Sequence, residues 1–255
     1  MQQAVVTPAA GKRLIARGLT AHPAVRSALT DGTVVVVAGT TNGYLAEELL
    51  RAVGQDGAFT REGFCRGVVT PPSRARTAAG RLDDDHPFAG DVILVKGQWQ
   101  QGRQIFDVAD DLGSGDVIVK GANAVDLDRR EAAVLIGDPQ AGTAASAIRG
   151  AAGRRVRLLI PVGLEKRVVE PLSDLARMLN AADATGPRLL PLCGDVFTEL
   201  DAVALLTGAE AHLVASGGVS GAEGASWLAV RGTEEQCRRA DELLQSVADE
   251  PLCRP

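Results

Sequence analysis

Several uncharged runs, mostly β-branched, end abruptly in glycine and polar residues, and they constrain this chain more than anything else in it. Val34-Val35-Val36-Val37-Ala38 leads into Gly39-Thr40-Thr41-Asn42-Gly43. Asp91-Val92-Ile93-Leu94-Val95 leads into Lys96-Gly97, and Asp116-Val117-Ile118-Val119 into Lys120-Gly121-Ala122-Asn123. An apolar run without polar alternation fits a strand buried on both faces, as in a parallel sheet. Glu131–Gly137 and Val156–Val162 add two more such runs. Helical spacing falls between them, with Leu45, Leu49 and Val53 set against Glu47, Glu48 and Arg51. The alternation predicts an α/β fold, an open and mostly parallel sheet with helices on both faces. Ligands of such sheets sit beyond the carboxyl ends of the strands, where the polar residues fall.

The tail reads differently. Arg188–Leu192 is a strand candidate, and Thr198–Gly208 is a helix with a capping threonine and a terminal glycine. Ala211–Ala215 and Ser226–Arg231 are strands around the Gly217–Gly221 turn, and Thr233–Val247 is a helix. The order β-α-β-β-α is most of a ferredoxin-like unit. The expectation is an α/β ligand-binding domain over residues 1–187 and a small α+β subdomain over 188–255. In the first 30 residues only Pro23–Leu29 reads as a short helix. The connection 54–90, rich in Gly, Arg, Pro and Asp, reads either as a lid or as an irregular excursion.

Charge and composition narrow the partners. The net charge is −5 and only 3% of residues are aromatic, which disfavours nucleic acid, duplex or single-stranded. A local cluster of Arg61, Arg66, Arg74, Arg76 and Arg81 is either a solvated face or a basic rim for an anion. Cys65, Cys193, Cys237 and Cys253 form no CxxC pair, and His22, His86 and His212 are scattered, so no metal site is expected. Free thiols fit a reducing compartment. Residues 1–20 lack a signal-peptide core, and no run approaches the roughly 20 apolar residues of a membrane span. A cytoplasmic protein without membrane contact is expected. No Walker spacing and no GxGxxG follows a strand, so no cofactor is indicated.

The residues with chemistry lie at the strand ends. Gly39, Thr40, Thr41, Asn42 and Gly43 precede a helix and offer backbone N–H groups and hydroxyls to an anion; Thr41 or Asn42 alternatively serves only as a cap. Lys96 and Lys120 share a Val-Lys-Gly ending. If their strands are neighbours, two ammonium groups without a facing acid call for an anion; otherwise each snorkels to water. Gly121, Asn123 and Asp126 complete the expected ligand-binding set, with Asn123 and Asp126 as hydroxyl-orienting groups or as turn formers. Asp138-Pro139 with Gly142-Thr143 reads as a turn or a second backbone nest.

Two of these segments resemble ribose-5-phosphate isomerases. Gly39–Gly43 before Glu47-Glu48-Leu49 looks like their phosphate loop, and Lys120-Gly121-Ala122-Asn123-Ala124-Val125-Asp126 is similar to their D-G-A-D-E-V-D segment. Pro161-Val162 with Lys166-Arg167 is similar to a later strand and lysine. The resemblance covers about 30–170. It implies a superfamily shared with glucosamine-6-phosphate deaminases, CoA transferases and regulatory subunits of a translation initiation factor, and an α+β appendage. The chain departs from it at Lys120, Asn123 and Ala124, which replace two aspartates and a glutamate. An isomerase moves its proton with a carboxylate, and no glutamate stands in a CoA-transferase context. Lys120, Asp126 and Glu131 are the remaining candidates for catalysis. The expected function is binding of a phosphorylated or otherwise anionic small metabolite: a sugar phosphate, a nucleotide or a CoA-like ligand. The protein is then either an isomerase- or transferase-like enzyme or a non-catalytic metabolite sensor or regulatory subunit. Such sheets often form homo-oligomers, and the sequence does not fix this.

Overall fold

The computed structural model describes residues 1–73 and 88–251. Arg74, Arg76, Arg81, His86 and Cys253, with residues 74–87 of the expected lid, lie outside the described residues. In chain order the elements are β1 (Gln2–Val6), α1 (Pro8–Ala21), α2 (Pro23–Asp31), β2 (Thr33–Val36), α3 (Thr40–Ala52), β3 (Val92–Val95), β4 (Gln98–Trp99), β5 (Val117–Val119), β6 (Ala124–Asp126) and β7 (Glu131–Ile136). Then come α4 (Gly142–Ile148), β8 (Arg157–Pro161), α5 (Leu172–Leu179), β9 (Arg188–Leu192), β10 (Asp195–Phe197), α6 (Glu199–Thr207), β11 (Glu210–Ser216), β12 (Ser226–Arg231) and α7 (Glu234–Gln245).

The central sheet has the order β10-β8-β5-β2-β3-β4. Its first four strands are parallel, as the apolar runs of β2, β5 and β8 predict. Successive side chains enter opposite layers. Val34 and Val36 join a core built with Leu14 and Ile15 of α1, Leu45 and Leu49 of α3, and Val203 of α6. Val35, with Val37 just beyond the strand, joins a second core with Ala144 and Ala147 of α4 and with Ala132, Val134 and Ile136 of β7. The protein is therefore α/β, and a small antiparallel sheet, β6-β7-β9, shares the second face with α4. Glu131–Ile136 is a strand of that second sheet rather than of the central one.

Two expectations change. β3 runs antiparallel to β2, with Val36 opposite Val92 and Thr33 opposite Val95. The β-α-β-β-α order of 188–255 does not close into a ferredoxin-like unit: β9 pairs with β7, β10 with β8, and β12 with β1. The tail helices form as read. Thr198 and Asp201 make a capping box and Gly208 ends α6 at φ 74°, while Thr233 caps α7.

Helix α1 was not legible. Thr7 caps it by accepting from Ala10 N at 3.2 Å, and Pro8 occupies its first turn. It packs between α3 and α6. Its two glycines permit that approach: a Cβ at Gly18 would stand 2.8 Å from Ala202 Cβ and 2.9 Å from the Phe197 ring. Among the described residues no helix is long and apolar enough to cross a membrane, and no cluster of His, Cys, Asp or Glu suits a metal.

Candidate functional site

A cleft of about 890 Å³ opens where the carboxyl ends of β2, β5 and β8 meet. Each strand delivers one part of it. Past β2, Gly39 begins α3 without any side-chain cap, so the first N–H groups of Thr40, Thr41 and Asn42 are left for something else. Past β5 comes Lys120, and past β8 a turn bearing Glu165 and Lys166.

Asn42 fixes the geometry. Its Nδ2 donates to Val37 O at 2.7 Å and to Val119 O at 3.1 Å, stapling β2 to β5 where the two chains part. Its Oδ1 and the Thr41 Oγ1 are buried and have no partner among the described residues; the two residues are 1% and 4% exposed. Buried polar atoms nearly always find a hydrogen bond, so two orphans side by side at a helix N-terminus mark a place completed by something from the cleft. A Cβ on Gly121 would lie 4.0 Å from that Oδ1.

Lys120 stands beside them. Its Nζ donates to Gly121 O at 3.3 Å. Lys120 as a residue is half-buried and lines the cleft, while protein crowds its amine. This desolvation brings its pKa from 10.5 to about 8; Asp91 opposes the shift, while Lys166 and Arg66 reinforce it. Asp91 is fully buried at the start of β3 and accepts from Ala38 N at 2.9 Å and Ile105 N at 2.8 Å. Burial pushes its carboxyl pKa up, against the pull of those two N–H groups and of Arg66 and Lys120.

The cationic rim continues with Lys166, whose Nζ donates to Ala122 O at 3.0 Å, and Lys12 of α1, which meets Pro8 O at 3.0 Å and Glu165 Oε1 at 3.1 Å. Burial lowers the Lys166 pKa; Glu165 opposes this and Lys12 adds to it. Behind Glu165, Glu199 is 3% exposed and accepts from Leu164 N at 3.1 Å. Burial, helped by the Glu165 charge, raises its pKa from 4.5 to about 8. Among the described residues Lys12, Arg66, Lys120 and Lys166 line the cleft as its cations, with Glu165 and Asp138 as its acids, in a protein whose net charge is −5.

Of the sequence-derived residues, Gly39, Thr40, Thr41, Asn42, Lys120, Gly121 and Asn123 line the cleft. Asn123 also has a structural task, accepting Leu135 N at 3.0 Å. Gly43 is buried one step inside α3, where a Cβ would press on Arg61 Cβ at 3.1 Å. Lys96 does not converge with Lys120. Because β3 is antiparallel, its end lies at the start of β2, where Lys96 N donates to Gly32 O at 2.8 Å. Asp126 is taken up by Arg129, which reaches it with Nη1 at 2.9 Å and backbone N at 3.0 Å. Glu131 is exposed on the hairpin opposite Asp126. Neither of these catalytic candidates reaches the cleft. Asp138, Gly142 and Thr143 do line its far wall, with Asp138 Oδ1 holding Gln140 N at 2.7 Å.

Asp91, Lys12, Glu165 and Glu199 were missed. Asp91 opens the run Asp91–Val95, and its place at the site depends on the direction of that strand, which the run itself does not set. Lys12 and Glu199 depend on the α1–α6 contact, for which the sequence offered no signal. No protein-family model matches the chain, and no curated protein matches it.

Proposed function

We propose that the cleft binds a phosphorylated or otherwise anionic small metabolite, with its anionic group at the N-terminus of α3 and its body over Lys120. The observation that carries this reading is the pair of unpartnered buried oxygens of Thr41 and Asn42 beside uncapped helix N–H groups, within a pocket edged by three lysines and an arginine. Thr41 Oγ1 donates to an anion; Asn42 Oδ1 accepts from a ligand hydroxyl, which favours a sugar phosphate or nucleotide over a bare ion. The resemblance of Gly39–Gly43 to the phosphate loop of ribose-5-phosphate isomerases agrees with this placement. Lys120 and Asn123, standing where that family carries carboxylates, favour a more anionic ligand and a different chemistry.

The test is thermal unfolding in the presence of inorganic phosphate, sugar phosphates, nucleotides and acyl-CoA. A ligand at 100 times its Kd adds about 2.7 kcal/mol, or roughly 5 to 10 °C in Tm for a chain of this size. Thr41→Val should leave the free protein as stable as wild type or slightly more so, since an orphaned hydroxyl is removed, and should weaken ligand binding about tenfold, as loss of one charge-assisted bond does. No shift with any anion, or identical ligand affinity in Thr41→Val, overturns the reading. Recovery of the ligand unchanged after incubation points to a sensor, and turnover to an enzyme.

A further inference from the structure

We propose that Lys120 is a nucleophilic amine that condenses reversibly with a carbonyl group of the anionic ligand to form an imine. The inference rests on the anion-binding reading and narrows it: the ligand is an anion that also carries an aldehyde or ketone.

Lysine usage is the first argument. The chain has 27 cationic residues, of which only Lys12, Lys96, Lys120 and Lys166 are lysines. Three of those four line this cleft. Where charge alone is wanted, this chain uses arginine, which stays protonated in proteins. A lysine can lose its proton when desolvated and then act as a nucleophile.

The second argument is what each amine touches. Lys12 is committed to Glu165 at 3.1 Å, and Lys166 to Ala122 O at 3.0 Å. Lys120 has only the longer contact to Gly121 O at 3.3 Å, and no carboxylate ion-pairs with it among the described residues. Asp91 is the acid whose field it feels, but both Asp91 oxygens are occupied by backbone N–H groups. The amine is therefore desolvated without being tied down. With its pKa near 8, about half of it is free amine at pH 8, against roughly one part in 300 for an ordinary lysine.

The third argument is position. Asn42 joins the start of α3 to Val119 O, one residue before Lys120. An anion on the α3 N–H groups thus presents its next carbons to the amine. The lone pair of Nζ adds to the carbonyl carbon as the C=O π pair moves to oxygen. The resulting carbinolamine loses that oxygen as water, and a C=N bond forms. Overall, one ammonium and one carbonyl give one iminium and one water, with no oxidant or reductant.

The test uses the full chain and pyridoxal 5′-phosphate, an aldehyde carrying a phosphate. An imine absorbance band should form, and borohydride reduction followed by peptide mass mapping should find the pyridoxyl group on Lys120. Lys96, at the other end of the sheet, is the internal comparison. The preference for Lys120 should be on the order of tenfold at pH 8, since its larger amine fraction is partly offset by weaker basicity. Inorganic phosphate should suppress labelling of Lys120 and not of Lys96. Lys120→Arg should cut the band to about a tenth, the remainder of it lying on the other lysines and insensitive to phosphate. Labelling spread evenly over the four lysines, or absent from Lys120 in a protein that phosphate stabilises, overturns the imine and leaves the anion site standing. Labelling of Lys120 that phosphate does not affect overturns the anion site instead.

Discussion

Glu199 carries a carboxyl group that folding places where its charge is unwelcome. It is buried against Gly11 of α1, where a Cβ would come within 2.3 Å of its Oε1, and its pKa rises from 4.5 to about 8 through burial and the neighbouring Glu165. Between about pH 4.5 and 8 the folded protein holds a proton that the unfolded chain has released, so the group's contribution to stability falls as pH rises, by up to about 1.4 kcal/mol per pH unit. Lys120 acts above about pH 8 with the opposite sign, because there the unfolded chain holds the extra proton. Unfolding followed at pH 5 and at pH 8 should show wild type losing a few kcal/mol that Glu199→Gln retains, since the amide keeps an acceptor for Leu164 N. Parallel pH profiles for the two proteins would show that Glu199 ionises normally.

At the scale of single elements, α1 is set by what it must approach. Glycine inside a helix costs about 1 kcal/mol relative to alanine, and Gly18 tolerates that cost because α6 and Phe197 leave no room for a methyl group. Gly18→Ala gains the propensity and meets overpacking of about 1–3 kcal/mol. The expected net result is a loss of up to about 2 kcal/mol in urea unfolding at unchanged m-value. A more stable variant would mean that α1 and α6 are looser than the 2.8 Å approach implies. The same glycines hid the helix, since Gly11 and Gly18 interrupt its apolar stripe and its other reason to form, contact with residues almost 200 positions away, leaves no local trace. The ends of β2 and β5 were legible because buried parallel strands are continuous apolar runs and their polar residues must fall at the carboxyl ends. β3 has the same composition and the opposite direction, and nothing within Asp91–Gly97 reveals which. That ambiguity put Lys96 at the site in place of Asp91.

For the whole molecule the question is whether residues 1–187 stand alone. The punctuated helices and hairpin after 188 suggest a separate unit, but their partners lie elsewhere. β1 has β12 as its neighbour. Val203 and Ala202 of α6 fill the first core beside Leu14 and Leu19. Arg13, only 7% exposed, holds Glu250 through Nε at 3.0 Å and Nη2 at 2.9 Å while also meeting Glu47 at 2.7 Å and Glu48 at 2.8 Å. Tyr44 Oη donates to Pro251 O at 3.2 Å. Removing the tail unpairs β1, opens the edges of β7 and β8, takes one of the three acids from a buried guanidinium, and returns to water the side of α1 that α6 covers, where each fully buried aliphatic side chain re-exposed costs about 1.5–3 kcal/mol. Against a total stability of about 5–15 kcal/mol, that fragment should not fold. Expressed alone, 1–187 should lack a cooperative thermal transition and bind a hydrophobic dye. Co-expression with 188–255 should restore both the transition and its response to phosphate. A cooperative transition in 1–187 by itself would instead make the tail an appendage, and would place the anion site wholly within the shorter chain.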